Sequence, residues 1–422
     1  MNQSLLKARL TLFILQRHLR SLCSGQSTPA RLVRSLRKQM VVSSVFRDAK
    51  YARVGDRIFI DPFAPYFPSA YCAKVFDNNS ADTYPPKPNF AQISITNRCP
   101  CRCVHCHVKN TQEADLPRET ILRTIEQIAE CDFPLIFFVG GEPFSRFDDL
   151  VDFVDLARRN MDTRIFTAGV GATPERLRAL RDAGLEGICV SLDHYDEPIH
   201  NQRRNHPSAF KAACDTIREA ASVGFYVSAV CCTTRTMVRT GETFKVVDLA
   251  ESLGAHSIQL NEIRPVGRAL ESKGYDFFLT DDEKGILIDY YRRTNRSRRR
   301  IAIVMPWYNE EPCNIGCTAT SAQQAYIDGR GNVQPCPLLK AGLGNVATED
   351  FRDIWNRFRS RCGHPVRECL VRVLAEELGR APELPLPPAR TYELWPELCR
   401  TAPSDIFARI HAIKSATRGT RT

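Results

Sequence analysis

The chain has 422 residues, of which 43% are hydrophobic and 25% charged, enough apolar material for one barrel-sized domain and a smaller companion. No apolar run approaches the roughly 18 residues of a membrane span; the longest early run, Leu10–Leu15, has no small-residue cleavage site after it, so a secretory signal is not expected. The net charge of +10 sits almost wholly in residues 1–50, where ten Lys or Arg face one acid, Asp48; the near-neutral remainder argues against a nucleic-acid-binding surface.

Residues 1–89 read as a basic extension. Leu5, Leu6, Leu12, Phe13, Ile14, Leu15, Leu19 and Leu22 among the charges predict an amphipathic helix, and a short strand pair is expected near Tyr51–Ile60. A helix docked on its own protein, with its charges in solvent, is preferred over contact with a membrane surface or an acidic partner.

From residue 90 to 270 short β-rich runs alternate with amphipathic stretches. Strands are predicted at Gln92–Thr96, Leu135–Val139, Thr163–Thr167, Gly187–Leu192, Tyr226–Cys232 and Ser257–Glu262. Helices are predicted near 118–131, 147–160, 174–183, 208–223 and 242–253, several ending at a glycine (Gly184, Gly224, Gly254) suited to a left-handed C-cap. Six βα repeats imply a parallel sheet with right-handed crossovers. Periodicity alone leaves open whether the sheet is flat, closed or a partial barrel. After residue 270 come a helix at Asp281–Arg293, the basic knot Arg296, Arg298, Arg299 and Arg300, and a helix near Thr348–Arg359. The proline-rich stretch 382–388 reads as a stiff surface connector to the tail, 381–422.

Seventeen cysteines, an odd count without a secretion signal, disfavour a disulfide scaffold. Cys189, Cys214, Cys231 and Cys232 lie in apolar stretches and read as small core residues. The rest cluster near residue 100 and between 313 and 369, which points to metal or iron–sulfur ligation. Cys99, Cys103 and Cys106 follow the first strand with three and then two residues between them. Such short intervals let thiolates converge on a 4Fe–4S cube, and three ligands leave one iron open. Zinc is the competing reading, although its sites generally close with four ligands in paired spacings.

Cys-x3-Cys-x2-Cys after a first strand resembles the signature of the radical S-adenosylmethionine (SAM) superfamily. The resemblance implies an α/β fold, a partial (β/α)6 TIM-type barrel, with the cluster at the C-terminal rim of its strands. It also implies that SAM chelates the open iron and is cleaved reductively to a 5′-deoxyadenosyl radical that abstracts a substrate hydrogen. Gly140-Gly141-Glu142-Pro143 after the second strand looks like the family's GGEP motif, with glycines for close backbone approach to the ligand and a carboxylate for the methionyl ammonium. Ser191 and Asp193 end the fourth strand, followed by His200 and the pair Arg203-Arg204; this looks like the family's strand ending in Ser-x-Asp with a later Arg that clamps the SAM carboxylate, an N-cap acid and surface arginines being the alternative. Thr167-Ala168-Gly169 departs from the frequent Thr-Asn-Gly, which puts in doubt a side-chain contact to the SAM ribose there. Cys101 is off the spacing and reads as a bystander.

Cys317, Gly331 after thirteen intervening residues and Cys336 after four more resemble the opening of a SPASM or shorter Twitch domain, as do Gly344-Asn345-Val346 and Asp353-Ile354-Trp355. This smaller C-terminal cysteine-containing extension, residues 271–380, is expected to hold one auxiliary 4Fe–4S cluster through Cys317, Cys336, Cys362 and Cys369, with Cys313 in reserve. A zinc site or a cluster-free remnant are the alternatives there. The resemblance implies a cytoplasmic enzyme, an electron donor such as flavodoxin or ferredoxin, and a peptide, protein or small cofactor precursor as substrate; the basic amphipathic start also leaves a membrane-associated or lipid-like substrate open. The rival function is an iron–sulfur electron carrier or zinc-binding protein without SAM chemistry, which would have no use for the Gly140–Pro143 loop.

Overall fold

The run Leu135-Ile136-Phe137-Phe138-Val139 is apolar at every position because a central parallel strand is covered on both faces, and all five residues are buried. In the computed structural model, which describes residues 3–25, 27–80, 86–108, 114–381 and 383–415, this strand lies inside one ten-stranded sheet. A small hairpin comes first, β1 (Ala52–Val54) and β2 (Arg57–Phe59). Then β3 (Phe90–Ser94), β4 (Leu135–Val139), β5 (Asp162–Thr167), β6 (Gly187–Ser191), β7 (Tyr226–Thr233) and β8 (Ser257–Glu262) pair in sequence order, all parallel. These are the six strands read from the sequence, within two residues at every end.

The helices Arg118–Glu130, Phe147–Ala157, Pro174–Asp182, Ala209–Val223 and Glu242–Ser252 form the connections and bury their apolar faces in one continuous core with the sheet. An additional helix, Glu197–Arg204, starts at Asp196, whose side chain accepts a hydrogen bond from Ile199 N. Its short, polar sequence carries no helical stripe that periodicity could find.

The sheet is larger than six strands. β9 (Ala302–Val304) adds parallel to β8, and on the opposite edge β10 (Gln324–Ile327) adds parallel to β3, followed by antiparallel β11 (Asn332–Gln334) and β12 (Gly344–Asn345). The hairpin assigned from sequence to a separate C-terminal extension therefore continues the barrel's own sheet. β9 and β12 are its two edges, and the barrel stays open.

The N-terminal segment caps the end of the barrel where the strands begin. Arg57 pairs with Glu186 and donates to Gly224 O (2.7 Å), Tyr66 N donates to Asp162 Oδ2 (3.0 Å), and the Phe59 ring stacks on Tyr226 at 4.2 Å. Three helices flank this plug: α1 (Gln3–Cys23), α2 (Pro29–Val45) and α3 (Ala70–Ser80). Leu6 and Leu10 of α1 pack with Tyr51, Ile58, Phe67 and Cys72, so the docked-helix expectation holds for that face of α1. Among the described residues no helix is long and apolar enough to cross a membrane.

The proline-rich stretch departs from the expected connector. Pro382 and the residues beyond 415 lie outside the described residues, but Leu386 is buried and bridges to Ala341, while Pro387 and Pro388 start the helix Pro388–Leu398. Proline at the first helical position costs no hydrogen bond. The helix then buries Trp395 against Phe358, so the tail completes the core it was expected merely to follow.

Candidate active site

The cysteine loop leaves the C-terminal end of β3 and is held from three sides. Asp115 accepts from Thr96 Oγ1 (3.0 Å), Asn97 N (2.7 Å) and Arg98 Nε (3.2 Å). The end of the helix Glu197–Arg204 takes Arg102 N on Arg204 O and Val104 N on Arg203 O, both at 3.0 Å. Beyond β8, Arg268 N donates to Cys106 O at 2.9 Å. Gly267 has φ +59°, and a Cβ there would stand 2.4 Å from that same carbonyl, so the position requires glycine.

The Gly140–Pro143 loop is the fourth support. Gly141 N donates to Thr96 O (2.7 Å) and Glu142 N to Arg98 O (2.8 Å). A Cβ on Gly140 would meet Thr96 O at 2.5 Å, and one on Gly141 would meet Arg98 O at 2.1 Å. The sequence suggested that these glycines admit the ligand. In the structure they admit the cysteine loop.

Glu142 is likewise turned inward. Its carboxylate accepts from Thr167 Oγ1 (2.6 Å), Ala168 N (2.7 Å) and Phe144 N (3.2 Å). Burial pushes its pKa up to about 7 against those hydrogen bonds. It ties the ends of β4 and β5 together, and Ala168 contributes through its backbone. Pro143 is buried at the start of a short 3₁₀ turn.

Asp193, Arg203 and Arg204 form a buried network beneath the loop. Arg204 pairs with Asp193 Oδ2 at 2.6 Å, and its Nη1 lies 3.5 Å from Cys103 Sγ. Asp193 Oδ1 accepts from Cys232 N at 2.9 Å, and His105 Nε2 stands 3.5 Å from its Oδ2. Burial alone would raise the Asp193 carboxyl, but Arg204, His105, Arg203 and His200 together hold it below the usual carboxylate range. Burial lowers His105 to about 3, so the imidazole is neutral. Arg203 donates to Cys232 O (2.6 Å) and Asp193 O (3.3 Å), which makes it part of the scaffold. Of the two arginines expected to clamp SAM, only Arg204 lines the cavity.

Cys99, Cys103, Cys106, Gly140, Gly141, Ser191 and Arg204 line a single cavity of about 1060 Å³. Cys101 lies between two of these thiols and hydrogen-bonds both Cys99 and Cys103, closer to the centre than its bystander reading. Cys189, Cys214 and Cys231 are buried as expected, but Cys232 lines the cavity, with ligating atoms of His105, Asp193 and Cys232 within 4.8 Å of one another. His105 Nδ1, Gln259 Oε1 and Tyr326 Oη are buried on cavity-lining residues without a hydrogen-bond partner among the described residues. Converging thiols beside a guanidinium, with orphaned polar atoms across the cavity, fit a thiolate-held cluster and a polar ligand.

The second cysteine group divides. Cys317, Cys336 and Cys369 are near enough that Cys369 acts electrostatically on both others, and Glu310 acts on all three. Burial pushes the Cys336 thiol up to about 12, so a metal bound there must displace a proton. Cys362 instead feels Cys399 and Arg359, and Cys313 is exposed. Three of the four preferred ligands thus lie within electrostatic reach of one another. Cys336 lines the same cavity as the first loop, and Arg264, paired with Glu262 Oε2 at 2.9 Å, lines it too. Sequence reasoning missed Asp115, Thr167, His105 and Glu310, whose residue types are too common to stand out without their partners.

Residues 93–253 match the radical SAM superfamily, and residues 317–372 match the SPASM iron–sulfur cluster-binding domain. The chain belongs to the radical SAM superfamily and carries a SPASM domain. It is 27% identical over 296 residues to the AdoMet-dependent heme synthase of Methanosarcina barkeri, covering 64% of this chain and 82% of that one. It is 29% identical over 291 residues to the PqqA peptide cyclase of Gluconobacter oxydans, covering 65% and 78%. The fold is similar to that of Streptococcus suis SuiB bound to its precursor peptide SuiA, with a TM-score of 0.52 at 15% identity, covering 68% of this chain and 67% of that one. This radical SAM enzyme uses SAM with a 4Fe–4S cluster, and its SPASM domain binds auxiliary iron–sulfur.

Proposed function

We propose that the enzyme modifies a substrate held between two iron–sulfur sites that face one cavity. The supporting observation is that Cys99, Cys103 and Cys106 on one side and Cys336 on the other line the same space. When bound, the cluster and SAM supply a 5′-deoxyadenosyl radical for hydrogen abstraction. Cys99, Cys103 and Cys106 hold that cluster, and Gly140, Gly141, Glu142 and Pro143 fix the loop from which they project. Ser191 and Arg204 face the SAM end of the cavity, while Asp193 and Arg203 orient Arg204. Cys317, Cys336 and Cys369 hold the auxiliary cluster, and Cys362 is left out of its ligand set.

At about 1060 Å³ the cavity is at the upper end of small-molecule sites, roughly 300–1,000 Å³, so SAM leaves room for a peptide side chain or a small cofactor precursor. Both classes appear among the relatives, one a heme synthase and another a peptide cyclase. Arg98 and Arg102 are exposed on the outside of the cysteine loop and suit an acidic electron donor such as flavodoxin or ferredoxin. A reducing cytoplasm agrees with the thiol chemistry. The test is anaerobic reconstitution with iron and sulfide, followed by SAM and dithionite, with 5′-deoxyadenosine quantified beside a Cys99→Ala/Cys103→Ala/Cys106→Ala variant. Product from the wild type alone supports the reading. A loop that takes up no iron and binds no SAM sinks it.

A further inference from the structure

The exposed residues that line the cavity, Thr11, Met40, Ser43, Ser44 and Arg47, all belong to α1, α2 or the turn after α2. The cavity mouth is therefore at the N-terminal helices, outside both matched segments. Behind that mouth the walls carry Leu10, Ile14, Val42, Phe46, Val75 and Phe76, interrupted by Lys7, Gln39 and Asp61. Further in, toward the cysteine loop, Gln259, Asn261, Glu262, Arg264 and Tyr326 add polar groups among Val139, Phe166, Val230 and Ile263. A molecule matching this gradient has a polar end at the cluster and a hydrocarbon body leading out between α1 and α2.

The outer surface of the same helices is unusual for a chain in water. Leu5, Leu12 and Leu19 recur every seven residues of α1 and fall within about 40° of one another at about 100° per residue. They are 60%, 55% and 53% exposed, and Leu15 beside them is 39% exposed. On α2, Val33 and Met40 repeat the seven-residue spacing at 49% and 73% exposure. Thr11 of the mouth lies one turn before Leu15, so the stripe adjoins the opening. Arg9, Arg20, Arg31 and Arg37 are exposed on the same two helices, within the segment holding ten cations and one acid. Apolar residues in a row beside arginines match a bilayer interface rich in anionic lipid.

We propose that α1 and α2 lie on an anionic membrane surface and that the cavity takes an amphiphilic lipid from it, head toward the cysteine loop and tail through the mouth. This rests on the reading above that the cavity is the reaction chamber. It replaces the peptide side chain or cofactor precursor of that reading with a lipid as the substrate class.

The reconstituted full chain is centrifuged with vesicles of phosphatidylcholine alone and of phosphatidylcholine with phosphatidylglycerol. Partition at least tenfold stronger into the anionic vesicles is expected, falling at least tenfold in Leu12→Glu/Leu19→Glu, whose exposed sites leave the fold intact. The hydrocarbon chamber is probed with cis-parinaric acid, whose fluorescence rises in apolar surroundings; the rise is expected in the wild type and is lost in Val42→Glu at unchanged iron content. SAM cleavage with dithionite, measured in the same samples, reports the reaction-chamber reading separately and stays unchanged in Leu12→Glu/Leu19→Glu. Absence of vesicle binding, equal binding to both vesicle types, or a dimer that Leu12→Glu/Leu19→Glu dissociates would each overturn the membrane assignment. No parinaric acid response would overturn the lipid substrate.

Discussion

The two cysteine groups face one cavity but are built on different principles. The first takes three thiols from one eight-residue loop, and backbone hydrogen bonds from β4, the helix Glu197–Arg204 and the segment after β8 fix that loop. The second gathers Cys317, Cys336 and Cys369 from a span of more than fifty residues and depends on β10, β11 and the short turns after residue 362 being in place. A site carried by one loop is legible from spacing. A site carried by tertiary structure is legible only through resemblance, which here supplied Cys317, Cys336 and Cys369 together with Cys362.

The largest effect that would break this contrast is at Cys103. Cys103→Ala is expected to bring 5′-deoxyadenosine formation to background while auxiliary iron remains, which iron counting and electron paramagnetic resonance would check. Loss of both irons would show that the two sites are assembled together. Next comes Gly141→Ala, whose new Cβ would sit 2.1 Å from Arg98 O. Overpacking of this kind costs about 1–3 kcal/mol, and displaced support of a metal site costs about 10- to 100-fold in activity. Gly363→Ala, which meets nothing within 4 Å, serves as its control, with SAM-cleavage rate and urea midpoint as readouts.

Cys336→Ala and Cys362→Ala sharpen the comparison from the other side. The first is expected to lose the auxiliary iron and leave uncoupled SAM cleavage within about threefold, as for sites with no shared partners. The second should retain its full iron content. Loss of auxiliary iron in Cys362→Ala would restore the four-ligand set that the spacing suggested.

The last expected effect lies away from both groups, at His256, and is on stability alone. Its Nδ1 accepts from Val227 N at 3.1 Å, and burial, with Arg57 adding to it, lowers its pKa to about 4. The unfolded chain binds a proton there below about 6.5 and the folded chain does not, so this contribution is complete above that pH and is lost as pH falls toward 4. Discounted for partial exposure, the loss is about 2 kcal/mol. His256→Asn should flatten the pH dependence of the urea midpoint between pH 7 and 4.5, with SAM cleavage at pH 7.5 unchanged.

The strands β3 to β8 were legible because buried parallel strands leave long apolar runs, as at Leu135–Val139, and amphipathic helices separate them. β9 was not, because Ala302–Val304 is only three residues long. The pairing of β10 with β3 joins positions more than 230 residues apart, and no local pattern encodes that. At the site, Cys99, Cys103, Cys106 and the Gly140–Pro143 loop stood out by spacing. What spacing could not convey was direction: Glu142 points into the scaffold and Arg203 toward Asp193 O and Cys232 O.

Because β10 lies directly against β3, the auxiliary domain and the barrel share hydrogen bonds as neighbouring planks of one floor. A hinge between them would have to break the hydrogen bonds that join β10 to β3. Diversity of substrate must then come from parts that are not woven into the sheet. In this chain those parts are the three helices before β3 and the tail folded around Trp395, so a graft of residues 1–89 onto a related barrel would be the direct route to a changed diet.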